Sequence, residues 1–241
     1  MNKNVTVTVV ILATDESNAL IKTIRYIKEE CENAPEQIVV VLSQNASEGC
    51  INATRKMIDE YGDSIRCAVQ DSRGLGNAIR FGIEQVETSH MIFFGADLAI
   101  SLESVDEMIA AAKKEPEIIH KTSRWLEKNS YVGYNPIRLV LNRLAQTFLR
   151  ILFKSKVRDL TNPVQVVPMH IQKSINWQED GFTALLEQVI VPVRLGYQFK
   201  EIPVKCYSRT EGESKNSALK TAMYLKAALR VRFTNKKNLL K

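Results

Sequence analysis

The chain has 241 residues, 45% of them hydrophobic, which is enough to bury one substantial core but too few for two full α/β domains. No apolar run approaches the roughly 18 residues of a membrane span, and the opening MNKNVTVTVVILA lacks a small-residue cleavage site; the expectation is a cytosolic protein, or one peripheral on the cytosolic face of a membrane. The net charge of +6 conceals an asymmetry, because Lys121–Arg158 holds nine basic residues and one acidic, and Lys215–Lys241 eight basic and none acidic.

Val5–Ala13 is a β-branched run of buried-strand length, followed by Asp15, Glu16, Ser17 and a helical pattern through Leu20, Ile24 and Ile27. The unit recurs at Ile38–Leu42 with SQNASEG and a helix through Met57. It recurs again at Ile65–Val69 with DSRGLG and a helix through Ile83. A fourth strand, Met91–Phe94, enters GADLAISLES and a helix over Val105–Ala112. This alternation predicts an α/β fold with a mostly parallel central sheet and helices on both faces, in which the polar residues after each strand gather along one edge.

Beyond Glu117 the rhythm changes. Ile118–Lys121 reads as a strand, Asn135–Phe153 as a long helix carrying Leu141, Leu144, Phe148, Leu149 and Leu152 with Arg138, Arg143 and Arg150. Strands are expected at Val164–Val167 and Phe199–Tyr207 with a helix over Phe182–Arg194 between them, and a basic helix from Ser217. The domain is drawn at residues 1–215, with 216–241 as an appended basic helical tail. The basic blocks suit phosphates, whether on nucleotides or anionic lipid head groups, or are solvated helix faces; no nucleic-acid-binding motif is present. Cys31, Cys50, Cys67 and Cys206 show no CxxC, and His90, His120 and His170 no ligand spacing, which argues against a structural zinc.

Four segments, in order, resemble the family 2 glycosyltransferases, most closely the dolichyl-phosphate mannose synthase type. They are VVILATDESNAL, DSRGLGNAIRFG, the pair TSRW and RDLTNPVQVVP, and GYQFKEIPVKCYSRTEGESK. They span residues 5–215, nearly the whole chain. The resemblance implies the GT-A nucleotide-diphospho-sugar transferase fold and inverting transfer from a nucleotide sugar to a polyprenyl phosphate. On it the donor would lie against Leu12, Thr14, Asp15, Glu16, Ser43, Arg73, Gly74, Ala96 and Asp97, with Asp97, Arg124, Arg209 and Lys215 as the catalytic set. A diphosphate leaving group needs a cation or a cluster of Arg and Lys as charge develops on it. A phosphate acceptor is already anionic and needs no strong base.

The sequence departs from that pattern where acids are expected. The family's DDGSTDGT is replaced by SQNASEGC, with Ser43 and Gln44 at the two aspartates. DADLQ becomes GADLA, with Gly95, Asp97 and Ala99 at the three metal-binding places. Asp97 is thus the one metal ligand expected, which predicts weak use of Mg²⁺ or Mn²⁺, or else it caps a turn before the helix at Glu103. Glu187 falls in FTALLEQ, similar to a family FxxxE helix whose carboxylate orients site residues, and Trp125 is an acceptor contact or an ordinary rim residue. Two alternatives stand beside the leading reading. One is a saccharide-hydroxyl acceptor, for which Asp159 is the base available; the other is a degenerate member that binds nucleotide or a partner without transfer.

Overall fold

The computed structural model describes residues 4–207 and 218–241. Four β-α units lead the chain: β1 (Val7–Ala13), α1 (Ser17–Glu29), β2 (Gln37–Leu42), α2 (Glu48–Tyr61), β3 (Ile65–Val69), α3 (Leu75–Glu84), β4 (His90–Gly95) and α4 (Glu103–Lys114). They are followed by β5 (Ile119–Ser123), β6 (Tyr131–Val132), α5 (Pro136–Phe153), β7 (Gln165–Pro168), α6 (Met169–Ser174), α7 (Ala184–Leu195), β8 (Phe199–Pro203), β9 (Cys206–Tyr207) and α8 (Ala218–Phe233). The main sheet has the order β3-β2-β1-β4-β7-β5-β8, and β6 pairs with β9 apart from it.

The strands alternate between two apolar layers because successive side chains of a strand point to opposite faces. Val7, Val9 and Ile11 of β1, with Ile92 and Phe94 of β4, pack under α1, α2 and α4 against Leu20, Ile24, Met57 and Met108. Val10, Val39, Val41, Met91 and Phe93 face the other way, toward Ile79 and Ile83 of α3 and Leu186, Val189 and Ile190 of α7. Among the described residues no helix is long and apolar enough to cross a membrane.

Three features differ from the sequence-based expectation. β7 runs antiparallel to both β4 and β5, so the sheet is parallel except at this strand. The run Phe199–Tyr207 divides at Pro203 into β8, on the sheet edge, and β9, which joins β6. The C-terminal segment does not trail from the domain: Ala228 and Val231 of α8 and Leu239 are buried in the layer under α7, and the Lys241 amide donates to the Ser174 carbonyl at 2.9 Å. Its basic residues lie on a helix that small apolar side chains seat against the core.

Helix α5 starts cleanly, with Asn135 accepting from the Ile137 amide at 2.8 Å and Pro136 in the first turn, where a missing N–H costs nothing. It buries only Gln146 and Leu149. Gln146 reaches a fully buried Asp159, donating to its Oδ1 at 3.1 Å and to Thr161 Oγ1 at 2.6 Å, and accepts from the Leu160 amide at 2.8 Å. Asp159 in turn receives Arg124 in a two-pronged pair, Nε at 2.7 Å and Nη2 at 2.8 Å, and the Arg124 amide at 3.0 Å. Burial alone would raise the Asp159 pKa, but the charge and hydrogen bonds of Arg124 outweigh it and hold the carboxyl well below the usual carboxylate range. Lys121, also fully buried, donates to the Thr122 and Asp159 carbonyls at 3.0 and 2.7 Å. Burial pushes its ammonium down to about 8 against the opposing charges of Asp159 and Glu201.

Removing one member of such a pair leaves an uncompensated buried charge. Asp159→Asn and Arg124→Met should each cost about 3–5 kcal/mol in urea unfolding, and the double substitution Arg124→Met with Asp159→Leu clearly less than their sum; additive losses would show that the two do not act as a pair. Lys121 gives a second expectation, a pH dependence of stability. An unfolded lysine titrates near ~10.4, so between about 8 and that value the unfolded chain binds more protons, and stability rises with pH. Wild type should therefore gain stability relative to Lys121→Met across this window, and a constant gap between them would refute the assignment.

Candidate active site

Strand register gathers the chemistry-bearing residues. Leu12 of β1 pairs with Gly95 of β4, Ala13 with Leu42 of β2, and Leu42 with Val69 of β3. Four neighbouring parallel strands therefore end level, and Thr14–Glu16, Ser43, Arg73–Gly74 and Ala96–Asp97 all follow along one edge. Hydrogen bonds tie these turns together. The Ser43 amide donates to the Ala13 carbonyl at 3.1 Å, the Gln70 amide to Leu42 at 3.0 Å, the Ser47 amide to Thr14 at 2.9 Å, and Gln44 Nε2 to the Asp71 carbonyl at 2.5 Å. Leu12 is partly buried and Ala96 buried, so both frame this edge from below, whereas Asp15 and Arg73 are exposed.

Glu16 turns back on its own loop: its Oε2 accepts from the amides of Thr14 at 2.9 Å and Asp15 at 3.0 Å, fixing the exit of β1 into α1. Asp97 makes the equivalent turn after β4, with Oδ1 accepting from the Ala99 amide at 3.2 Å. Leu98 between them has φ 53°, a left-handed conformation that costs an L-residue roughly 1–2 kcal/mol. The loop is held from its far side, where the Tyr207 amide of β9 donates to the Ala99 carbonyl at 2.9 Å and the Ser101 amide to Lys205 at 3.1 Å. Asp97 is a turn-forming carboxylate at the level edge, and the two alternatives posed for it are compatible. Among the described residues no three His, Cys, Asp or Glu side chains come together as a metal cage. A single carboxylate meets the lower bound for Mg²⁺ or Mn²⁺ when a diphosphate supplies further oxygens, so Asp97 fits such an ion only together with nucleotide.

Two of the expected contacts have partners within the chain. Arg124, assigned to the phosphates, has its guanidinium committed to Asp159 and to Thr161 Oγ1 at 2.9 Å, because a buried carboxylate competes for it from the same side. Gly74, assigned to the donor, has φ 112°, and a Cβ there would lie 2.5 Å from the Asp180 carbonyl; one on Gly76 would lie 1.9 Å from that of Glu179. The Gly76 amide donates to Asp180 at 2.8 Å. The glycines of RGLG thus admit the 178–180 loop, which occupies an amide at the start of α3. Arg209 and Lys215 lie outside the described residues.

This loop is supported from α7 and α8; of these two supports, sequence reasoning singled out Glu187 and passed over Arg230. Glu187, buried on α7, accepts from the Gln178 and Glu179 amides, the latter at 2.9 Å, and from Arg230 Nη2 of α8 at 2.7 Å. In sequence Arg230 is one cation among seven in a basic tail, with nothing to single it out. Trp125 packs on Tyr131 at 5.0 Å between ring centroids, and the Arg143 guanidinium lies over it at 5.0 Å. A shallow hollow lined by Ile118, Val157, Tyr197 and Phe199 lies at the starts of β5 and β8, the opposite end of the sheet from Asp97.

Comparison with known proteins agrees with this arrangement. The family model described as Glycosyl transferase family 2 matches residues 8–172, more than half of the chain. Among solved structures, glucosyl-3-phosphoglycerate synthase from Mycobacterium tuberculosis, in complex with Mn²⁺, uridine diphosphate and phosphoglyceric acid, superposes with a TM-score of 0.73. It is 13% identical over 96% of this chain and 80% of that one. The same enzyme with Mn²⁺, UDP-glucose and phosphoglyceric acid gives 0.74 at 11% identity, over 96% of this chain and 81% of that one. A further structure, described as a mycobacterial protein, gives 0.70 at 12% identity over 97% and 77%. At these identities the likeness establishes the fold, GT-A, and the family model establishes membership: the chain belongs to glycosyl transferase family 2 and is a glycosyltransferase.

Proposed function

We propose that this glycosyltransferase moves a sugar, with inversion, from a nucleotide sugar to a polyprenyl phosphate while resting on an anionic membrane surface. The observation that carries this reading is the outward face of α5. Ile137, Val140, Leu141, Leu144 and Ile151 are 60–73% exposed and recur at helical spacing on one side, opposite the buried Gln146 and Leu149. An apolar stripe of this kind marks an interaction surface. Residues 128–158 contain six or more cations and no acid, as an interfacial helix on anionic lipid requires.

A phosphate acceptor is also favoured by what Asp159 does. A hydroxyl acceptor would need a base, and the aspartate available for it is fully buried, ionised and saturated by Arg124, Gln146 and its own loop. An acceptor phosphate brings its own nucleophilic oxygen. The chain's work is then to position donor and acceptor at the level strand edge and to offset charge on the leaving diphosphate. A divalent ion, when bound, supplies Lewis-acid neutralisation of that diphosphate, and Asp97 is the side chain that would hold it. Arg209 and Lys215 are assigned the remaining charge; Arg209 follows two residues after Tyr207, whose amide is bonded to Ala99. The related mycobacterial synthase is seen with phosphoglyceric acid, a small phosphorylated acceptor, which makes that compound the natural competing substrate to test.

Two experiments check this. Wild-type protein should co-sediment with vesicles containing phosphatidylglycerol and leave them as salt rises, since exposed charges are screened over ~8 Å at physiological ionic strength. Leu141→Glu with Leu144→Glu should abolish sedimentation and transfer to polyprenyl phosphate in those vesicles while the fold persists. Equal binding to neutral vesicles, or transfer to soluble phosphoglycerate alone, would reject the membrane acceptor. For the metal, calorimetry should detect no Mn²⁺ binding to free protein and measurable binding once UDP or GDP is present, lost in Asp97→Ala. Gly95→Asp with Ala99→Gln should strengthen the metal dependence. Tight Mn²⁺ binding without nucleotide would contradict the single-carboxylate site, and no binding of any nucleotide would favour the degenerate reading.

A further inference from the structure

The 178–180 loop is held from two sides by residues that do not touch each other. On one side Arg230 Nη2 of α8 bonds Glu187 Oε1 at 2.7 Å and Glu179 Oε1 at 3.1 Å, and the Glu187 carboxylate collects the amides of Gln178 and Glu179. On the other side the Asp180 carbonyl accepts from the Gly76 amide, and Arg80 of α3 donates to the Glu179 carbonyl at 2.9 Å and pairs with the Asp180 carboxylate. Between these anchors the loop backbone lies against Gly74 and Gly76 so closely that neither could carry a Cβ.

We infer that Arg230 is a positioning residue: through Glu187 and the 178–180 loop it sets the Arg73–Gly76 turn at the level strand edge. The physical basis is the direction of the contacts. Glu187 is 2% exposed at its side chain, so its charge is sustained by Arg230 and by two loop amides. If the arginine is removed, the buried carboxylate loses its charged partner and is drawn toward solvent, and the amides it holds lose their acceptor as it moves. The loop then relaxes away from Gly74 and Gly76, and the turn between β3 and α3 loses the wall that fixes it. α8 therefore contributes to the site without reaching it. The consequence for donor binding rests on the transferase reading given above; the mechanical coupling does not.

The test separates the two. Amide hydrogen exchange is measured on wild type, Arg230→Met, Arg230→Lys and Arg80→Met, each at a temperature where circular dichroism shows it folded. Arg230→Met should lower protection of the Gly76 and Gln178 amides while leaving β1 and β2 amides unchanged, and Arg230→Lys should restore part of it. Unaltered Gly76 protection in folded Arg230→Met overturns the inference, as does a loss spread evenly over the whole chain. A binding series with UDP and GDP then reads the functional side. kcat/KM or affinity should fall by up to ~10²-fold in Arg230→Met, as for a site displaced by about an ångström. In a double-mutant cycle with Arg80→Met the losses should be non-additive, because both substitutions release one loop. Strictly additive losses, or undiminished binding, reject the link to the donor. If wild type binds neither nucleotide, the donor reading fails, and the exchange data alone decide the coupling.

Discussion

The buried pairing of Arg124 with Asp159 is the constraint on which the second half of the molecule depends. Arg124 follows β5, Asp159 sits on the loop that returns from α5, and Gln146 reaches the same carboxylate from the middle of α5. Three segments far apart in sequence are thus fastened at one point. With Gln146 drawn inward, the helix has only one rotation available, and that rotation turns Leu141, Leu144 and Ile151 toward solvent. Desolvating two charges is expensive, and the gain is geometric: their fork-to-fork match fixes an orientation that an apolar contact would leave loose.

Much of the first half was legible in the residues. The runs VTVVILA, QIVVVL and HMIFFG are apolar on both faces because helices cover both sides, and runs of that type and length have few alternatives to a buried parallel strand. The turns that follow them were placed correctly for the same reason: strands in register end level, so residues after each must meet. What resisted reading was direction and partnership. A short β-branched run such as Val164–Val167 announces a strand but not which way it runs. The burial of α8 rests on Ala227, Ala228 and Val231, side chains too small to print a stripe through a sequence dominated by lysine and arginine.

Site residues divided along the same line. The placement of Asp97 and Glu16 just past the strand ends was legible because it follows from the strand each succeeds. The pairing of Arg124 with Asp159 was not legible, since the acid lies thirty-five residues on and no local pattern marks it. The glycines of RGLG entered as a motif match, with Gly74 in the donor set; nothing in the local sequence marked that Gly74 and Gly76 make room for the chain's own 178–180 loop. In each instance the residue type was informative about the physical demand, a charge to be met or a Cβ to be avoided, and silent about which group imposed it.

The level strand edge separates what the fold needs from what the chemistry needs. Ser43, Gln44 and Ala99 all lie beyond the strands, and Gly95 is the last residue of its strand; none of them is in either apolar layer. Exchanging them leaves both apolar layers untouched. A Cβ on Gly95 would lie 3.2 Å from the Asp97 carboxylate, a clash of a few tenths of an ångström, so even that exchange is sterically cheap. At this edge cation-binding capacity and stability can therefore be altered independently, because the positions that set the first contribute nothing to the layers that set the second.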